Sequence, residues 1–80
     1  MKEDVKRIMS EVFGLPIESI PDNASPKTIG SWNSLGHLNF VMALEDEFGV
    51  RFAGEQIPDL TSFAAITDAI AKGRADRISD

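Results

Sequence analysis

The chain contains no cysteine and only one histidine among its 80 residues. That excludes a disulfide framework, a thiolate nucleophile and most zinc sites, and no catalytic residue or metal ligand set stands out. No carboxylate spacing resembles a metal loop, so Glu18, Asp22, Glu55 and Asp59 read as solvated. Tyrosine is absent, tryptophan occurs once, and no apolar run is long enough to span a bilayer. The start, Met1-Lys2-Glu3-Asp4, lacks the apolar stretch of a secretion signal, and the expected location is cytoplasmic. Positive charge is also scarce. A net charge of −5 speaks against nucleic acid or membrane insertion and for protein partners with basic patches. Eighty residues make one small domain, too small for a buried enzymatic cleft and its supporting shell.

What is present is a helical pattern. Val5, Ile8, Met9, Val12 and Phe13 form a one-sided stripe, which Gly14 caps and Pro16 ends. From about Leu15 to Trp32 the chain is rich in turn formers (Pro16, Pro21, Pro26, Asp22, Asn23, Gly30), with Ile17, Ile20 and Ile29 as anchors. A second helix is expected from about Ser34 to Phe48, ended by Gly49, after which Val50-Arg51-Phe52 returns to the core. Glu55–Leu60 gives a short helical turn broken by Pro58. A last helix begins near Ser62, with Thr61 or Ser62 as N-cap; it buries Phe63, Ile66 and Ile70 and is capped at Gly73. The expectation is an all-α bundle of three main helices plus a short fourth turn, with residues 1–73 as the domain and 74–80 as a frayed polar tail.

The second helix carries apolar residues on two faces. At about 100° per residue, Phe40, Val41, Leu44 and Phe48 share one side, and Leu35, Leu38 and Met42 share nearly the opposite one. Glu45, Asp46 and Asn39 flank that second strip, while Glu47 reads as solvated. An exposed apolar strip rimmed by acids is a docking surface, and reversing the charge of Glu45 and Asp46 is expected to weaken partner binding without disturbing the fold. Ser34 opens this helix, where unpaired backbone N–H groups and the dipole favour an anion on its hydroxyl. His37 and Trp32 read as packing or hydrogen-bonding residues, since no acid is evident to orient the imidazole.

The triplet Asn33-Ser34-Leu35, followed by Leu38-Asn39-Phe40-Val41-Met42-Ala43-Leu44-Glu45-Asp46-Glu47-Phe48, resembles the acyl carrier protein family from about Val5 to Lys72. The resemblance implies that a phosphopantetheinyl transferase, using coenzyme A and magnesium, joins 4'-phosphopantetheine to Ser34. The thioester cargo would then be presented to acyl-loading and acyl-transfer enzymes. It also implies docking through Asn33, Leu35, Leu38, Met42, Glu45 and Asp46, and a monomeric, non-catalytic protein. The chain departs from the family in having Asn33 where the family has Asp, which removes a charge beside the serine. Trp32 and His37 resemble free-standing carriers of specialised pathways such as polyketide or surface-polysaccharide synthesis. An aminoacyl or peptidyl carrier on the same scaffold, and an unmodified helical interaction module, are the alternatives.

Overall fold

A computed structural model describes residues 2–78. Three helices, α1 (Lys2–Phe13), α2 (Ser34–Phe48) and α3 (Phe63–Ile78), are joined by loops that contain short 3-10 turns at Ile17–Ser19 and Ile57–Asp59. No strand occurs among the described residues. The all-α bundle is therefore as expected, with a short turn inside the first loop that the proline-rich sequence concealed.

Helix α1 forms because its apolar residues recur on one side: Val5, Ile8, Met9 and Phe13 are buried, with Val12 packed at their edge. Glu3 and Asp4 in its first turn complement the dipole. It stops at Gly14, whose φ of 69° is the left-handed conformation that glycine adopts without penalty. Gly14 and Leu15 both donate their N–H to the Ser10 carbonyl, and Ser31 Oγ donates to Phe13 O at 3.0 Å. Carbonyls at the C-terminal end of α1 are thereby satisfied by the chain that leads into α2.

The long first loop is a string of turns. Ala24 N donates to Pro21 O, Thr28 N and Ile29 N to Ser25 O, and Trp32 N to Ile29 O. Each turn returns an apolar side chain to the interior, so Ile20, Ala24, Ile29 and Trp32 are all buried. Ile17 is a correction: it is 45% exposed, because it opens the first 3-10 turn on the outside while Ile20 at the end of that turn faces in.

Helix α2 has the bounds expected for it. Asn33 is its N-cap, with Oδ1 accepting from Gly36 N at 2.9 Å, and Gly49 at φ 64° ends it. Phe40, Val41 and Leu44 are buried, and Phe48 is partly so. Val50 and Phe52 return to the core as expected, whereas Arg51 is exposed. Pro58 does not break the second short turn but sits inside its first residues, where a missing N–H costs nothing.

Helix α3 is capped by Ser62, whose Oγ accepts from Ala65 N at 3.2 Å, and it buries Phe63, Ile66, Ala69 and Ile70. Its end differs from the expectation. The helix runs through Gly73 to Ile78, so Gly73 is not a cap and residues 74–78 are helical. The reason is packing: a Cβ on Gly73 would lie 3.0 Å from Val50 Cβ, and the bare backbone lets α3 pass the loop after α2. Residues 79 and 80 of the expected tail lie outside the described residues.

Candidate functional site at the start of helix α2

The site is assembled where the first loop, α2 and the second 3-10 turn meet. Trp32 closes the loop, buried and stacked on Phe13 with ring centroids 5.2 Å apart and set edge-on to Phe40 at 5.3 Å. This aromatic cluster fixes where the loop hands over to the helix. Asn33 then turns the chain, and Ser34 is the first helical residue.

Ser34 is exposed, and its hydroxyl makes no hydrogen bond with another described residue. The N–H groups of Gly36 and His37 are taken by Asn33 Oδ1 and Asn33 O, leaving those of Ser34 and Leu35 without a partner among the described residues. A free hydroxyl beside two unpaired N–H groups at a helix N-terminus suits a phosphate ester, because such groups and the dipole favour an anion. The hydroxyl borders an open depression of about 330 Å³ lined by Pro26, Trp32, Asn33, His37, Pro58 and Thr61.

His37 lies one turn along and is half-buried. Its Nδ1 accepts from Trp32 Nε1 at 2.9 Å, and its Nε2 is 2.7 Å from Ile57 O. Both ring nitrogens are occupied, in keeping with a hydrogen-bonding role and not a catalytic base. Gly36 was missed by sequence reasoning. A Cβ there would overlap the Ser31 carbonyl oxygen and touch Phe13, so only glycine lets the loop cross the first turn of α2. Its signal was a glycine inside an otherwise strong helix, where it costs about 1 kcal/mol relative to alanine.

On the outward side of α2, Leu35, Leu38 and Met42 are 69%, 52% and 65% exposed. Asn39 and Asp46 are exposed too, and Glu45 is half-buried. The strip therefore exists as a surface, opposite the helix's core face. At its far end Met42, Glu45, Asp46 and Arg51 line an open hollow of about 560 Å³.

The surrounding charges hold three corrections. Glu45 is not simply a rim charge: its Oε2 accepts from Phe52 N at 2.9 Å and ties down the chain after α2, so reversing its charge would disturb the fold. Glu47 is not merely solvated but meets Arg7 of α1 at 2.9 Å, which raises the Arg7 pKa through that hydrogen bond and the attraction behind it. Asp22 is likewise paired, with Lys6 at 2.8 Å and Lys2 at 3.5 Å. The Lys6 hydrogen bond, then the charge of Lys2, holds its carboxyl below the usual range. No cluster of metal-ligating side chains occurs among the described residues, and no described helix is long and apolar enough to cross a membrane.

A three-helix bundle with a long first loop and a bare serine opening its second helix is the architecture of a carrier domain. Residues 3–70 match the family described as phosphopantetheine attachment site, and the chain belongs to that family. The fold is shared with the solution NMR structure of holo acyl carrier protein from Geobacter metallireducens, at a TM-score of 0.83 and 23% identity, over 98% of this chain and 90% of that one. Members of the family carry their substrates on a covalently attached 4'-phosphopantetheine arm and are not themselves enzymes, and the same is true of this chain.

Proposed function

We propose that Ser34 bears the 4'-phosphopantetheine arm and that the protein is an acyl carrier, presenting its cargo to biosynthetic enzymes. The observation that carries this reading is the unpartnered, exposed Ser34 hydroxyl at the first position of α2, in a chain whose family is defined by arm attachment. Once attached, the arm supplies a terminal thiol that holds the cargo as a thioester, which is how a chain without cysteine takes part in thiol chemistry. The chain's own part is positional. Asn33 caps the helix, the unpaired Ser34 and Leu35 N–H groups favour the ester's phosphate, and the Trp32 cluster holds this corner in place.

The transferase and the acyl-handling enzymes are taken to dock on Asn33, Leu35, Leu38 and Met42, attracted by Glu45 and Asp46 to basic patches. Glu45 adds its charge to this rim from a carboxylate that also holds Phe52 N. The acidic rim favours the acyl reading over an aminoacyl or peptidyl carrier. Mass analysis of the thioester on protein from its native host separates the two.

The attachment test is intact mass after incubation with coenzyme A, magnesium and a broad-specificity phosphopantetheinyl transferase. The wild type is expected to gain one arm, Ser34→Ala none, and Ser31→Ala as much as the wild type. An unmodified wild type overturns the carrier reading. A gain that survives Ser34→Ala overturns the choice of residue.

A further inference from the structure

We propose that His37 is a proton-sensitive latch that ties the first turn of α2 to both loops beside it, and that protonation of the ring releases Trp32. The hydrogen bonds of the two partners fix the state of the ring. An indole N–H only donates, so His37 Nδ1 must accept from Trp32 Nε1; a carbonyl only accepts, so His37 Nε2 must carry the proton and donate to Ile57 O. One neutral tautomer satisfies both, and in it a single side chain joins the end of the first loop, α2 and the second 3-10 turn.

An imidazolium cannot keep this arrangement. It would retain the bond to Ile57 but place a second N–H against the Trp32 N–H, donor to donor. The indole N–H has no other partner among the described residues. Trp32 is buried, so the N–H must then reach solvent or remain unpaired, and either outcome loosens its packing on Phe13 and Phe40.

No ion pair to His37 among the described residues offsets this. The depression around His37 is walled by Pro26, Trp32, Asn33, Ser34, Pro58 and Thr61, none of which ionises near neutrality. Lys27 on the loop and Glu55 and Asp59 beside the second 3-10 turn are exposed and form no ion pair with His37. On α1, which reaches this corner through Phe13, Arg7 is paired with Glu11 and Asp4 as well as Glu47. The latch is therefore closed while the ring is neutral and opens when the ring takes up a proton. It stands whether or not Ser34 carries the arm. Where that reading also holds, the latch makes the geometry of the attachment corner depend on pH.

The single tryptophan and the absence of tyrosine make Trp32 its own reporter. The experiment titrates the unmodified protein from about pH 8 to about 5.5, above its pI of about 4.7, following the indole N–H and imidazole NMR signals and the tryptophan fluorescence. The expected result is one transition in which the imidazole and indole signals and the fluorescence move together, with far-UV circular dichroism constant. His37→Gln is expected to lose the fluorescence transition. An imidazole that titrates while the indole signal stays still overturns the latch, as does an imidazole that does not titrate in this window. The same fluorescence transition in His37→Gln also overturns it. Should that variant fail to fold, the wild-type NMR titration decides alone.

Discussion

Helices α1 and α2 pack against one another, yet they treat their outward faces in opposite ways. On α1 every strongly apolar residue turns inward, and the outer cations are paired within the molecule: Lys2 and Lys6 with Asp22, Arg7 with Glu47. On α2 the outer face keeps Leu35, Leu38 and Met42 in solvent with no internal partner to cover them. A surface that neutralises itself has little left to offer a partner, whereas an uncovered apolar strip gains from being covered. Helix α2 holds three acids, Glu45, Asp46 and Glu47, and no lysine or arginine, so much of the net charge of −5 lies with it. On the proposed reading, the difference makes α1 the scaffold and α2 the helix that partners cover.

The sharpest way to break this comparison is to truncate each face of α2 in turn. Phe40→Ala removes a fully buried ring from the aromatic cluster and is expected to cost about 3–5 kcal/mol, a large part of the stability of a domain this size. Leu38→Ala removes a comparable apolar group from the opposite face. It is expected to change stability by less than about 0.5 kcal/mol while slowing transferase loading at least about fivefold. Urea melts and loading rates on both variants check this. Equal stability losses would show that both faces are structural, and unchanged loading by Leu38→Ala would remove the docking role.

Gly36→Ala tests whether the start of α2 is held by its neighbours or by its own helical tendency. In an ordinary helix the change is stabilising by about 1 kcal/mol. Here the added methyl meets the Ser31 carbonyl, so the sign is expected to reverse, with a loss of about 1–3 kcal/mol in a urea melt. A gain would mean that the loop yields easily and that the attachment corner is softer than its packing implies.

Both features of α2 differ in how far the amino-acid order reveals them. Its bounds, with Ser34 at the first position, and its two faces were legible because they depend on period and on local chemistry: Asn33 caps, Gly49 ends, and 100° steps sort the rest. Gly73 was not, since the same residue type that caps α1 at Gly14 serves in α3 to clear Val50, and only the neighbour distinguishes the uses. Ile17 and Ile20 are equally apolar, yet which one faces inward depends on the phase of a turn that the surrounding prolines do not declare. The partners of Glu45, Glu47 and Asp22 lie 7 to 40 residues away in sequence, so no local pattern announces them. The same holds for the hydrogen bond from His37 to Ile57, 20 residues on.

The smallest effect concerns the scaffold side. Asp22 has its carboxyl held below the ordinary range by the Lys6 hydrogen bond and then by the charge of Lys2. A group whose folded pKa is depressed contributes stability above its unfolded value, near about 4, and loses it as pH falls through the lowered folded value. Asp22→Asn is therefore expected to be slightly less stable than the wild type at neutral pH, with the gap closing as the solution is acidified below the ordinary carboxylate range. Because the carboxyl and Lys2 are well exposed, added salt should shrink the gap at neutral pH as well. Paired denaturation curves at low and high salt measure it. A gap that survives high salt would mean that the contact between the first loop and α1 rests on shape and not charge, and α1 would then owe its quiet outer face to packing.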